Sequence, residues 1–295
     1  MLSYESCRLC PRACGVDRTA GQRGFCRMPD RIYAARAAAH YWEEPVISGS
    51  FGSGAVFFSG CTLRCAFCQN SEISTGCAGE PLTPDALRDV FLRLIDDGVQ
   101  NINLVTPTHF LPSILPALTP KLPVPVVYNC GGYESVETLR QLEGLIDVYL
   151  PDYKYSDARL AAKLSAAPDY PAIADAAIRE MVRQTGPAVI EDDQLVRGTL
   201  VRHLLLPGYL DNTLGALDWF ADAFPDGSVL LSLMSQYTPA GKAKNEPPLD
   251  RRVTEDEYAA ALSYLALLGI ENGFTQDLSA AETTYIPDFN GEGLK

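Results

Sequence analysis

The chain has 295 residues, 47% of them hydrophobic, with nine cysteines and a formal net charge of −13. That size suits one large α/β domain with a small extension, and the acidic balance argues against a nucleic-acid partner held through its phosphates. No apolar stretch approaches the ~18 residues of a membrane span, no basic start followed by an apolar core marks a leader, and the clustered cysteine spacings suit metal binding in a reducing cytoplasm better than disulfides.

In chain order, the first signal is Cys7-x2-Cys10-x3-Cys14 followed by Cys26, with Gly15, Gly21 and Gly24 allowing tight turns. Four soft ligands so close together make a complete closed set, the kind that is usually structural. Zinc and an auxiliary 4Fe-4S cluster both fit, so residues 1–50 are expected to be a Cys-rich metal-binding extension. The arginines interleaved there (Arg8, Arg12, Arg18, Arg23, Arg27, Arg31) read as a solvated face. An apolar strand over Ala55–Ser59 then runs into Cys61-Thr-Leu-Arg-Cys65-Ala-Phe-Cys68-Gln-Asn70. Thr83-Pro84 supplies an N-cap and a first-turn proline for a helix whose Leu87, Val90, Phe91, Leu94 and Ile95 share one face, ending at Gly98. Strands follow at Asn101–Thr106, Val124–Asn129, Ile146–Leu150, Leu200–Leu206 and Ser228–Met234. Between them lie helices over 111–118, 135–142, 157–166, 172–184 and 214–224, and a hairpin insertion over Val189–Gly198. A helix over Thr254–Leu268 and a tail after Ile270 are expected to pack on this core.

Nearly wholly apolar strands alternating with helices indicate a parallel sheet buried on both faces. Six such strands fall short of a closed eight-stranded barrel, and pattern alone does not separate an open six-stranded partial barrel from a doubly wound sheet. In either fold, ligands sit at the carboxyl ends of the strands. Those ends are polar here: Thr106-Pro-Thr108-His109, Asn129-Cys130-Gly-Gly, Asp152-Tyr-Lys154, Arg202-His203 and Ser235-Gln236.

Soft thiolates select zinc, copper(I) or iron–sulfur clusters. Three of them spaced C-x3-C-x2-C hold one corner of a cubane whose fourth iron lacks a cysteine, and that iron is free to bind something else. This loop, with Phe67 before its last cysteine, resembles the signature of the radical S-adenosylmethionine (SAM) superfamily, and Gln69-Asn70 is similar to the branch containing pyruvate formate-lyase activating enzyme. The resemblance implies an α/β fold, a partial (β/α)6 barrel over residues 51–240, with residues 241–295 as a C-terminal helix and tail. It implies a 4Fe-4S cluster on Cys61, Cys65 and Cys68, with SAM chelated to the open iron by its amino and carboxylate groups. One electron would then split SAM to methionine and a 5′-deoxyadenosyl radical that removes a hydrogen atom from a substrate.

By the same resemblance Phe67 lies along the adenine, and Asp152, Lys154, Arg202 and Asn129 line the SAM site with Thr106, Thr108 and Gln236. Relatives carry Gly-Gly-Glu after the second strand to hold the SAM amino group, where this chain has Thr106-Pro-Thr108-His109. His109 and Cys130 are candidates for a catalytic role; His203 reads as a core or wall histidine and Cys77 as inert. The implied activity is glycyl-radical-enzyme activation, with a protein substrate, a flavodoxin- or ferredoxin-type reductant and a cytoplasmic location. The alternatives are radical modification of a small molecule, peptide or RNA base, and, from another class, an iron–sulfur electron-transfer protein.

Overall fold

The computed structural model describes residues 2–278 and 287–295; part of the C-terminal tail therefore lies outside the described residues. In chain order the elements are β1 (Ile32–His40), α1 (Pro45–Ser48), β2 (Ser53–Phe58), α2 (Ser71–Ser74), β3 (Glu80–Leu82), α3 (Pro84–Asp96) and β4 (Ile102–Val105). Next come α4 (Leu111–Ala117), β5 (Val126–Cys130), α5 (Val136–Leu139), β6 (Val148–Pro151), α6 (Ala158–Ser165) and α7 (Tyr170–Thr185). The last are β7 (Val189–Glu191), β8 (Gln194–Leu204), α8 (Leu210–Ala223), β9 (Leu230–Met234), α9 (Glu255–Leu267) and β10 (Gly273–Thr275).

All ten strands form one mixed sheet in the order β10-β9-β8-β6-β5-β4-β2-β1-β3, with β7 paired to β8. The six strands expected from the sequence are β2, β4, β5, β6, β8 and β9, and they are consecutive parallel neighbours. At one edge β10 adds a further parallel strand. Gly273 allows that approach, since a Cβ there would meet the Leu231 carbonyl. At the other edge β1 runs antiparallel to β2, and β3 antiparallel to β1. The extension expected over residues 1–50 thus ends in a sheet strand. Its Ala-Ala-Arg-Ala-Ala-Ala run has little intrinsic β preference, and pairing with β2 holds it there.

The hairpin insertion is β7 with the start of β8. Asp192 and Asp193 form its turn at φ +48° and +62°, the left-handed pair a two-residue hairpin needs. The helix expected over 135–142 is a single α-turn continued by a 3-10 turn, Arg140–Leu142. Helix α3 starts on the Thr83 cap, whose hydroxyl accepts from the Ala86 N–H, and α9 starts on a capping box made by Thr254 and Glu257.

The parity of the strands decides the layering. Val56, Leu104, Tyr128, Tyr149, Val201 and Leu231 share one buried cluster with the apolar faces of α3, α4, α7 and α8. On the opposite face, Val127, Val148, Leu150, Leu200 and Leu230 pack around Val46 and Ile47 of α1. The long helices therefore coat one side of the sheet only, which rules out a doubly wound arrangement. The one-turn α1 closes the base of the inner face, and the space above it opens toward the carboxyl ends of the strands.

Candidate functional site

Above α1, alternate residues of successive strands present a polar layer: Asn103 on β4, Asn129 on β5, Asp152 just after β6, Arg202 on β8 and Ser232 on β9. Arg202 is its hub. The guanidinium donates to Glu43 Oε2 at 2.8 Å, to Asp152 Oδ1 at 2.8 Å and to Asn129 Oδ1 at 2.6 Å. Lys154 lies 2.5 Å from the other Asp152 oxygen. Burial by itself would raise the Asp152 pKa, but the two adjoining cations more than offset it and hold the carboxyl below its usual range. Burial likewise opposes charge on Lys154 and Arg202, and the surrounding carboxylates outweigh it, so both are held as cations. A buried, fully hydrogen-bonded network of this kind fixes geometry more than it adds stability.

This layer floors a cavity of about 240 Å³ whose lining includes Cys61, Cys65, Phe67, Cys68, Thr106, Asn129, Cys130, Asp152, Lys154, Arg202 and Gln236. The backbone is strained at two places on its rim: Arg64 within the cysteine loop has φ +55°, and Thr106 has φ +59°. Each cysteine sulfur accepts a hydrogen bond, Cys61 from the Leu63 N–H at 3.3 Å, Cys68 from Ser74 at 3.3 Å and Cys65 from Ser165 at 3.0 Å. Burial pushes the Cys61 thiol up to about 12 and raises that of Cys68, with neighbouring cysteines adding to both. Such thiols ionise together only when a metal centre balances their charge. Three soft donors at one end of a cavity, each with a donor on its sulfur, fit a cubane corner.

Thr108 and His109 are not on the cavity. The Thr108 hydroxyl is buried and donates to Glu134 Oε1 at 2.8 Å. His109 is buried with Nε2 2.6 Å from the Ser59 carbonyl, its ring against Phe110, and burial depresses its pKa to about 3. The backbone reverses φ at Thr106, and the Thr108 and His109 side chains beyond it are buried. His203 is buried between the Tyr153 carbonyl and Thr213. Cys130 lines the cavity from a fully buried position, with burial raising its pKa. Phe67 stands between Tyr155 and Tyr237 with one side to the cavity.

Sequence reasoning missed Glu43 and Glu44, which precede α1 and enter the polar layer from below. Their only sequence signal is two acidic residues before a proline in an otherwise apolar stretch.

The N-terminal cysteines form a separate group. Cys7 and Cys26 are buried, and burial pushes the Cys10 and Cys26 thiols up, with Glu134, Cys26 and Cys14 adding to the first and Cys7 and Cys14 to the second. Among the described residues no three His, Cys, Asp or Glu side chains are gathered tightly enough to hold one metal ion.

The arginines expected on a solvated face include two that are structural. Arg18 is buried, donating to the carbonyls of Pro29 and His109 beneath the Tyr4 ring. Arg12 donates to the Thr62, Ser165 and Ala166 carbonyls and lies over Phe25. It thereby ties the N-terminal segment to the cysteine loop.

No family model matches the chain. Among solved structures, Streptococcus suis SuiB bound to S-adenosylmethionine superposes with a TM-score of 0.52 at 13% identity, over 75% of this chain and 50% of SuiB. SuiB bound to precursor peptide SuiA gives 0.50 at 15% identity, over 75% and 48%. The chain spans about half the length of SuiB, and the likeness is one of fold. In sequence, the chain is 31% identical over 269 residues to uncharacterized protein MJ0674 of Methanocaldococcus jannaschii, a match covering 88% of this chain and 74% of that protein. The chain belongs to the family of the Methanocaldococcus jannaschii protein MJ0674.

Proposed function

We propose that this chain is a radical SAM enzyme built on a partial (β/α)6 barrel. The observation that carries the reading is the opening of Cys61, Cys65 and Cys68 onto a cavity floored by the polar strand ends. The shared fold with SAM-bound SuiB supports it. Cys61, Cys65 and Cys68 would hold a 4Fe-4S cluster, and Phe67, Thr106, Asn129, Asp152, Lys154, Arg202 and Gln236 would surround SAM. When bound and reduced, these groups supply a carbon radical able to remove a hydrogen atom.

The chain's own residues do the rest. Ser74 and Ser165 place donors on two sulfurs, which stabilises added negative charge there. Phe67 offers an apolar wall for an adenine. The Arg202 network keeps the floor rigid, so that a ligand meets preset polar groups and little water. The four N-terminal cysteines would hold a second metal group.

The substrate class we favour is a peptide or protein, since SuiB with the same fold has a precursor peptide bound. Glycyl-radical-enzyme activation is the narrower form of that reading, with a flavodoxin- or ferredoxin-type reductant in the cytoplasm. Among the described residues no helix is long and apolar enough to cross a membrane. The test is anaerobic loading with iron and sulfide, reduction with dithionite in the presence of SAM, and assay of 5′-deoxyadenosine. Product from the wild type and none from a Cys61, Cys65, Cys68 triple alanine variant is expected; equal product from both would sink the reading.

A further inference from the structure

Arg8, Arg23, Arg27 and Arg31 are exposed and line no part of the cavity. They belong to a segment whose charge opposes that of the chain. Residues 1–36 hold seven arginines against three acidic residues, whereas the whole chain has 24 basic residues against 37 acidic ones and a net charge of −13. Arginine does not deprotonate in proteins, so these cations are permanent. A metal group on the four thiolates would add about two negative charges, which leaves the segment positive still. Three of the seven arginines are committed to the fold: Arg12 and Arg18 hold backbone carbonyls, and Arg36 pairs with Glu292. The other four, and Arg64 of the cysteine loop, form no ion pair among the described residues. Of the three carboxylates, Asp17 is turned back onto the Thr19 hydroxyl and N–H. Unpaired surface cations add little stability; they set the field that an approaching partner meets.

Three of these cations stand beside the cysteine loop. Residues 25–28 pack on its start, since a Cβ at Gly60, next to Cys61, would meet the Cys26 carbonyl and the Met28 side chain. The Phe25 ring lies under the Arg12 guanidinium at 3.9 Å and under that of Arg64, in the middle of the loop, at 4.2 Å. Arg27 and Arg64 both act on the Cys77 thiol, whose sulfur is 3.9 Å from the Cys26 carbonyl. Arg31 lies 5.7 Å from the centre of the Tyr33 ring, and the Tyr33 carbonyl accepts from the Ser59 N–H, two residues before Cys61. Arg27, Arg31 and Arg64 thus border the loop without lining the cavity. A partner held by them comes close to Cys61, Cys65 and Cys68 and leaves free the space that SAM and a substrate need.

Resting on the SAM reading, we propose that Arg27, Arg31 and Arg64 form the docking face for a small acidic protein that carries single electrons. One electron leaves the carrier, which is oxidised by one step, and reduces the cluster held by Cys61, Cys65 and Cys68; no bond forms or breaks and no proton has to move. Such a transfer demands proximity and orientation only, and complementary charge on an exposed face supplies both. A substrate protein has to reach the cavity instead, and a nucleic acid meets a chain of net charge −13.

The experiment measures binding of an acidic flavodoxin, in its oxidised form, to the cluster-loaded protein by the change in flavin fluorescence at rising salt. For wild type the Kd is expected to rise about tenfold or more between roughly 20 and 200 mM salt. An Arg27→Glu, Arg31→Glu double variant should bind about tenfold more weakly than wild type at the lower salt. The neutral pair Arg27→Gln, Arg31→Gln should fall between them, and it reads the same face if the charge-reversed protein does not fold. With reduced flavodoxin as electron donor, 5′-deoxyadenosine formation should slow in step, while the rate with dithionite stays within about twofold of wild type. Unchanged affinity in both variants, binding insensitive to salt, or salt-sensitive binding of an RNA but not of the flavodoxin overturns the proposal. Wild type that makes no 5′-deoxyadenosine even with dithionite would instead remove the SAM reading itself.

Discussion

The two cysteine groups have similar spacing and opposite surroundings. Cys61, Cys65 and Cys68 lie at the lip of a cavity, with a donor on each sulfur and a charged floor opposite. Cys7, Cys10, Cys14 and Cys26 sit off that cavity in a shell of turns, fastened to the core through Arg12 and Arg18. Three thiols beside open space would leave room for a reacting partner; four without it would suit a closed, supporting group. Spacing alone gives the number of thiols, and the space beside them is what differs between the two groups.

The sharpest way to break this contrast is to remove each group in turn. The triple alanine variant of Cys61, Cys65 and Cys68 should lose 5′-deoxyadenosine formation by more than about a thousandfold, the scale expected when the group supplying the chemistry is lost. A Cys7→Ser, Cys10→Ser double variant should lower total metal while the spectroscopic signature of the SAM-binding cluster persists. Full metal content and full activity in that variant would end the second-metal reading.

Glu134 lies near Cys10 of the N-terminal group and beside Cys130 on the cavity wall, and burial pushes its carboxyl up to about 7. A carboxyl raised in the folded state favours folding below its unfolded value near 4.5, and that contribution is lost as pH rises through about 7. Glu134→Gln keeps one acceptor oxygen, turns an amide donor toward the other hydroxyl of the Thr108–Tyr128 pair, and removes the ionisation. Chemical denaturation of the metal-free protein should show the gap between variant and wild type shifting in the variant's favour by roughly 2.5 kcal/mol between pH 5 and pH 8, from about 1 kcal/mol at pH 5 to about 3 kcal/mol at pH 8. A constant difference across that range would contradict the assignment.

Smaller effects test the link between the groups. Arg12→Ala removes three hydrogen bonds that join the N-terminal segment to Thr62 and the end of α6, and should cost roughly 2 kcal/mol in stability. Loss of iron from the Cys61 loop in that variant would show that the segment also braces the cluster. Ser165→Ala deletes the donor to Cys65 Sγ and should lower the cluster midpoint potential by roughly 50 mV, about 1 kcal/mol for one electron. An electron paramagnetic resonance titration reads this directly, and an unshifted potential would make Ser165 a packing residue only.

Much of the parallel part of the sheet was legible in the sequence, because each inner strand is short, apolar and flanked by turn signals or caps that act locally. The cavity residues Asn129, Asp152, Lys154 and Arg202 were legible by their place at strand ends. Thr108 and His109 lie off the cavity, beyond a left-handed backbone at Thr106 that no periodicity carries. Strand β1 escaped because alanine has weak strand preference and its pairing partner lies far along the chain.

The sequence by itself determined the grouping and spacing of the cysteines, the six parallel strands and which ends of them are polar. These rest on residue type and short-range spacing. Only the tertiary structure decided that the long helices cover one face, that α1 closes the other, and that Glu43, Glu44 and Arg12 join the site. Those outcomes depend on which distant surfaces bury one another and on where the charges left inside find partners, and neither is written in any local run of residues.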